Sequence, residues 1–116
     1  MLLIIEDEKM LAELVDEMLY DVDHKTITSY IDLLSLSVTE VSSFDCVVTD
    51  FSLDMGHTAT DVREYIRSIN PDASFILMTG GGPPQELVDL FDGVILKPFN
   101  KSELKELCDR IKGQSC

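Results

Sequence analysis

The sequence predicts an α/β domain: a doubly wound sheet of five parallel strands with helices on both faces. Three observations lead there. Short apolar runs recur at Leu2-Leu3-Ile4-Ile5, Cys46-Val47-Val48, Phe75-Ile76-Leu77-Met78 and Val94-Ile95-Leu96. They are continuous rather than alternating, as strands buried on both faces are. Segments with helical spacing or helix-capping residues separate them, and strands alternating with helices call for a parallel sheet with right-handed crossovers. Each run also ends on residues that carry chemistry: Glu6-Asp7, Asp50, Thr79 and Lys97. In an open parallel sheet, the carboxyl ends of the strands are where ligands bind.

The elements follow in order. After the first strand, Leu11, Leu14, Val15, Met18 and Leu19 mark one face of a helix from Glu8 to about Tyr20. Lys25 to Tyr30 alternates and suits an edge strand. Asp32 is the expected N-cap of a second helix over Leu33 to Val41. Cys46 to Asp50 is the central strand. Thr58 or Thr60 caps a third helix with Val62, Tyr65, Ile66 and Ile69 on one face, and Asn70-Pro71-Asp72 stops it. Ala73 to Met78 is the fourth strand. Gly80 to Pro84 is a turn, with Pro84 suited to the first turn of a short helix through Phe91. Asp92-Gly93 leads into the fifth strand. Asn100 or Ser102 starts the last helix, Leu104, Leu107, Cys108 and Ile111 line its inner face, and Gly113 is expected to end it. No linker or repeat divides residues 1–116, a length suited to one domain with one core.

Composition removes several functions. The net charge of −13 repels phosphate backbones, so direct nucleic-acid binding is not expected. No apolar run is long enough to cross a bilayer, and the N-terminus lacks the basic region of a signal peptide. The expected location is therefore the cytoplasm. Cys46, Cys108 and Cys116 have no metal-like spacing and read as buried, reduced thiols. His24 and His57 stand apart from each other and read as surface loop residues.

The acids carry the functional argument. Singly, Glu6, Asp7 and Asp50 are ordinary loop acids; at adjacent strand ends they would converge. Like charges so close call for a cation. Carboxylates, a backbone carbonyl and water are the ligand set of Mg²⁺. Lys97 adds one positive charge to three negative ones, leaving a formal −2 that one divalent ion cancels. Such a site can hold a phosphoryl group, and a carboxylate oxygen can attack it to give an aspartyl phosphate. Asp50 is the central candidate because two acids flank it and its strand lies mid-sheet. Thr79 and Lys97 supply donors from the other side. Pro98 fixes the backbone after Lys97, and a Lys-Pro bond is a place where a cis peptide can form. The glycines at positions 80–82 lack the Lys-Ser end of a P-loop and the GxGxxG spacing, so nucleotide binding is set aside.

At this point the whole chain resembles a response-regulator receiver domain of two-component signalling. The matching pieces are Ile4-Ile5-Glu6-Asp7-Glu8, Phe44-Asp45-Cys46-Val47-Val48-Thr49-Asp50, Ile69-Asn70-Pro71-Asp72, Leu77-Met78-Thr79-Gly80 and Leu96-Lys97-Pro98-Phe99. Any one piece is weak, but all of them in order cover nearly the whole length. The resemblance implies a flavodoxin-like fold with strand order 2-1-3-4-5. It implies that Asp50 is the phosphoacceptor, that Glu6 and Asp7 are the metal-binding acid pair, and that the backbone carbonyl of Ser52 is a further ligand of Mg²⁺. Thr79 would be the switch hydroxyl and Lys97 the lysine that contacts the phosphoryl group. The partners implied are a histidine kinase or histidine phosphotransfer protein and a downstream effector protein. Dimerisation through the last helices is also known in such domains. The chain would be a phosphoacceptor that takes part in its own phosphotransfer and dephosphorylation, not an enzyme with a separate substrate.

Three positions and one segment depart from the pattern. Val94 stands where receivers usually carry a tyrosine or phenylalanine, so output is expected through loop and helix movement instead. Asp54 replaces a common proline, and Gly56 is the nearest match to a displaced glycine. The segment from Thr79 to Lys97 is short, so its helix is expected to be reduced and the partner contact to differ. These departures motivate an alternative, a receiver-like interaction module that is never phosphorylated. A third reading, a Mg²⁺-dependent phosphatase, lacks the two-residue spacing of nucleophile and acid, because Asp54 lies four residues after Asp50.

Overall fold

The computed structural model describes residues 1–114, and their side chains except at positions 54 and 112–114. Five parallel strands form one sheet in the order β2-β1-β3-β4-β5. They are β1 (Leu2–Ile5), β2 (His24–Ile27), β3 (Cys46–Asp50), β4 (Ser74–Thr79) and β5 (Gly93–Leu96). The helices are α1 (Lys9–Met18), α2 (Tyr30–Leu34), α3 (Val38–Ser42), α4 (Ala59–Ile69), α5 (Gln85–Val88) and α6 (Lys101–Gln114). The expected strand order and two-sided winding are both present.

Residue alternation divides the core into two layers. Leu3, Ile5, Val47, Phe75 and Leu77 face Leu33, Val41, Ala59, Val62 and Ile66, the buried residues of α2, α3 and α4. Leu2, Ile4, Cys46, Val48, Ile76 and Met78 face Val15 and Leu19 at α1 and Leu104, Leu107 and Ile111 of α6. Both faces of the inner strands are covered, which is why their sequences read as unbroken apolar runs. The carboxyl ends of the strands then bring Glu6, Asp50 and Thr79 to one edge of the sheet.

Sequence and structure diverge most between residues 28 and 43. One helix is expected over Leu33–Val41 with Asp32 as its cap; two short helices form instead. Ser29 caps α2 and its hydroxyl accepts from the Asp32 amide at 3.0 Å, while Ser37 caps α3 and accepts from the Glu40 amide at 3.1 Å. Two N-caps eight residues apart enforce two helix starts. The Ser29 cap also ends β2 at Ile27, short of the expected Tyr30, because Tyr30 becomes the first helical residue. At α4 the expected Thr58 cap forms, with Asp61 completing a reciprocal capping box.

Two smaller corrections concern α6 and His24, while His57 is the loop residue expected. α6 runs through Gly113 to Gln114 rather than stopping at the glycine. His24 is not a loop residue: it opens β2, with Nε2 at 2.6 Å from Asp16 Oδ1 and Nδ1 at 2.7 Å from the Val22 carbonyl. His57 stacks on Tyr30 with ring centroids 4.2 Å apart. Cys46 is buried and Cys108 half-buried, and Cys116 lies outside the described residues. No helix among the described residues is long and apolar enough to cross a membrane.

Candidate functional site

Strand register brings the site together. Ile5 pairs with Thr49, so Glu6 and Asp50, the next residue on each strand, emerge side by side. Asp50 pairs with Met78, and Thr79 pairs with Leu96, which sets Thr79 and Lys97 on the far side of Asp50. Backbone hydrogen bonds hold this edge: the Phe51 amide donates to the Met78 carbonyl at 3.0 Å and the Lys97 amide to the Thr79 carbonyl at 2.8 Å. The Lys97-Pro98 peptide is cis.

One carboxylate oxygen from each of Glu6, Asp7 and Asp50 lies within 4.8 Å of the others. Glu6 is 1% exposed and Asp50 8%. The Lys97 ammonium reaches in and donates to Glu6 Oε1 at 2.8 Å and to Asp50 Oδ1 at 3.1 Å. Asp50 Oδ1 also accepts from the Phe51 amide at 2.9 Å, and Glu6 Oε2 accepts from the Glu8 amide at 3.3 Å. Sequence reasoning missed the Phe51 and Glu8 contributions, because a backbone amide leaves no trace in residue type.

Electrostatics separates the two buried acids. Burial pushes the Asp50 carboxyl up to about 7, and the neighbouring Glu6 acts in the same direction while Lys97 opposes it. Burial also works against ionised Glu6, but its hydrogen bonds with Asp50 and Lys97 outweigh burial and hold it below the usual value. Burial disfavours the Lys97 charge too; the hydrogen bonds to Glu6 and Asp50 outweigh that and raise it. Near neutral pH, Glu6 and Lys97 therefore form the fixed ion pair, and Asp50 is the carboxyl poised between its two protonation states.

Of the remaining expected residues, Thr79 ends β4 beside the acids, but its hydroxyl is engaged in the turn that follows. It donates to the Gly81 carbonyl at 2.9 Å and accepts from the Gly81 amide at 3.3 Å. Ser52 lies two residues beyond Asp50 in an isolated antiparallel bridge with Thr58. That bridge closes a tight loop in which Met55 and Gly56 take positive φ values of 58° and 80°. Val94 of β5 packs half-buried against the α2–α4 side of the core, and α5 spans only four residues. The expected short helix is therefore present, ending at Val88 rather than running through Phe91.

The donor set fits a hard divalent cation: three clustered carboxylates, with a formal charge of −2 once Lys97 is counted. The same oxygens, with an ammonium beside them, can accept and stabilise a phosphoryl group.

Comparison with solved structures places the fold. A response regulator receiver domain protein from Clostridium thermocellum superposes with a TM-score of 0.81 at 21% identity, over 97% of this chain and 94% of that one. The chemotaxis protein CheY4 of Vibrio cholerae gives 0.79 at 19% identity, over 95% and 96%. The non-phosphorylated HemR receiver domain from Leptospira biflexa gives 0.75 at 25% identity, over 95% and 91%. No family model and no curated protein matches the chain by sequence. The chain has the flavodoxin-like fold of CheY-type response-regulator receiver domains.

Proposed function

We propose that the chain is a phosphorylation-dependent signalling switch of a two-component or phosphorelay system, with Asp50 accepting the phosphoryl group. The observation that supports this most is the seating of Asp50: buried at a central strand end, flanked by Glu6 and Asp7, and touched by Lys97. The donor is a phosphohistidine of a histidine kinase or histidine phosphotransfer protein. A carboxylate oxygen of Asp50 attacks phosphorus, the phosphorus–nitrogen bond breaks as the phosphorus–oxygen bond forms, and the departing imidazole takes up a proton. The product is an acyl phosphate.

Lys97 balances the charge of the incoming phosphoryl oxygens, moving its hydrogen bond from the Asp50 carboxylate to one of them. Glu6 stays paired with Lys97 and keeps the ammonium directed into the site. Thr79 exchanges its bonds to Gly81 for one to a phosphoryl oxygen, which carries the change into the loop after β4. Glu6, Asp7, Asp50 and the Ser52 carbonyl would hold Mg²⁺. When bound, Mg²⁺ supplies charge neutralisation at the phosphoryl oxygens. The chain acts as a phosphoacceptor, taking part in its own phosphotransfer and dephosphorylation. Its output is contact with an effector protein in the cytoplasm, with α6 available for a homodimer, and phosphorylation shifts a pre-existing equilibrium.

Val94 in place of an aromatic residue and the four-residue α5 favour a second reading, an interaction module that works unphosphorylated. The two are separated by intact mass after incubation with acetyl phosphate, with and without Mg²⁺, for wild type and Asp50→Ala. One Mg²⁺-dependent adduct that vanishes in the variant is the expected result. A folded protein that binds Mg²⁺ but is never labelled would favour the second reading, which predicts equal partner binding by wild type and Asp50→Asn.

A further inference from the structure

At the opposite end of β3 from Asp50, Cys46 meets Cys108 of α6, and their Sγ atoms are 3.7 Å apart although 62 residues separate them in sequence. Cys46 is buried and Cys108 half-buried. Both line a cavity of about 240 Å³ between the amino end of the sheet and α6, walled by Leu2, Leu19, Val22 and Leu104. That separation is ordinary contact between two sulfurs; a disulfide needs about 2.05 Å, so bonding asks for an approach of under about 2 Å. Cys108 sits on a helix that crosses the sheet face, so side-chain rotation and a small shift of α6 can supply it. A metal site is the weaker reading, because two thiols alone do not complete a ligand set. Among the described residues, the group of three or more potential ligands that converges is the acidic one at the other end.

We propose that Cys46 and Cys108 form a reversible oxidation site, a dithiol that a small peroxide converts to an intramolecular disulfide. The more accessible Cys108 reacts first. Its thiolate attacks one oxygen of hydrogen peroxide, the oxygen–oxygen bond breaks, and hydroxide leaves, giving a sulfenic acid. Cys46, already in contact, attacks the Cys108 sulfur; the sulfur–sulfur bond forms and the sulfenic oxygen departs as water with the Cys46 proton. The pair loses two electrons and the peroxide gains them. The disulfide ties α6 to the start of β3 and closes a loop running through α4, β4, α5 and β5. It restrains α6, and its chemistry is independent of whether Asp50 is phosphorylated.

The test uses the full chain with Cys116→Ser, so that the third thiol cannot react. After stoichiometric hydrogen peroxide, the intact mass falls by two hydrogens, a Cys46–Cys108 cross-linked peptide appears, and both thiols resist alkylation in urea. The urea midpoint rises by roughly 1–2 M and returns on adding dithiothreitol. Adding Cys108→Ser abolishes the cross-link and the midpoint shift; should that variant not fold, the cross-linked peptide of its parent decides. Three results would overturn the proposal: oxygen added at Cys108 with Cys46 still alkylatable, a dimer linked through Cys108, or a folded protein that keeps both thiols.

Discussion

Replacing Asp50 with asparagine removes a charge that the fold is built to resist, and the variant is expected to be more stable than the wild type. The magnitude follows from the site. In the unfolded chain Asp50 titrates near 3.8, and in the fold it is pushed up to about 7, a shift of about three units, each worth about 1.36 kcal/mol. The folded state therefore holds more protons than the unfolded state between those values. Stability attributable to Asp50 is highest below about pH 4, falls as pH rises, and stops falling above about 7. The penalty reaches about 4 kcal/mol as a ceiling, with little screening because Asp50 is 8% exposed. Asparagine has nearly the shape of the protonated acid and does not titrate. Urea unfolding in EDTA, followed by circular dichroism, should show the variant ahead by roughly 2 kcal/mol near pH 5.5 and roughly 4 near pH 8.5. Taking the difference between the two proteins cancels the titrating groups remote from Asp50, and Glu6 and Lys97, which touch it, stay ionised across this pH range. Magnesium should then narrow the gap at the higher pH by stabilising the wild type through binding. A gap that does not change with pH, or a wild type more stable than Asp50→Asn near pH 8.5, would refute the assignment of Asp50 as the strained carboxyl.

Further outcomes follow from the same geometry. Lys97→Ala leaves the Glu6 and Asp50 carboxylates without their cation and should cost about 2–3 kcal/mol at pH 8, with the loss shrinking in urea titrations at lower pH as the acids protonate. Ser37→Ala removes the acceptor of the Glu40 amide and should lower stability by about 1 kcal/mol in chemical denaturation, with its far-UV spectrum otherwise retained. Met55→Gly relieves a side chain held at φ 58° and should leave stability unchanged or raise it by up to about 1 kcal/mol, whereas Met55→Val should lower it.

Much of this was readable in the residues because burial on two faces writes a simple pattern. β1, β3 and β4 appear as unbroken apolar runs, and their carboxyl ends define where Glu6, Asp7, Asp50 and Thr79 gather. Lys97 was found the same way, from the end of the weaker β5 run. The α2–α3 segment departs from expectation because Asp32 sits in the first turn of α2 rather than at its cap. The signal for this was present: Ser29-x-x-Asp32 and Ser37-x-x-Glu40 both follow the N-cap pattern, in which the acid sits in the first turn rather than at the cap. Gly113 misled for a different reason: a glycine permits a helix to end but does not compel it. The Cys46–Cys108 contact was out of reach, because no local spacing encodes a meeting between the first residue of a strand and a helix 62 residues later.

In the switch proposed above, the Thr79 hydroxyl, bonded at both ends to Gly81, would set a floor on how quiet the unphosphorylated state can be. Two local hydrogen bonds made at the expense of water are together worth only about 1–2 kcal/mol net. At that cost, roughly one molecule in ten has the hydroxyl released at any moment without a phosphoryl group. A signalling output that depends on this release would then carry a standing background. Tightening the latch would silence the background, and it would weaken the response to phosphorylation by the same factor.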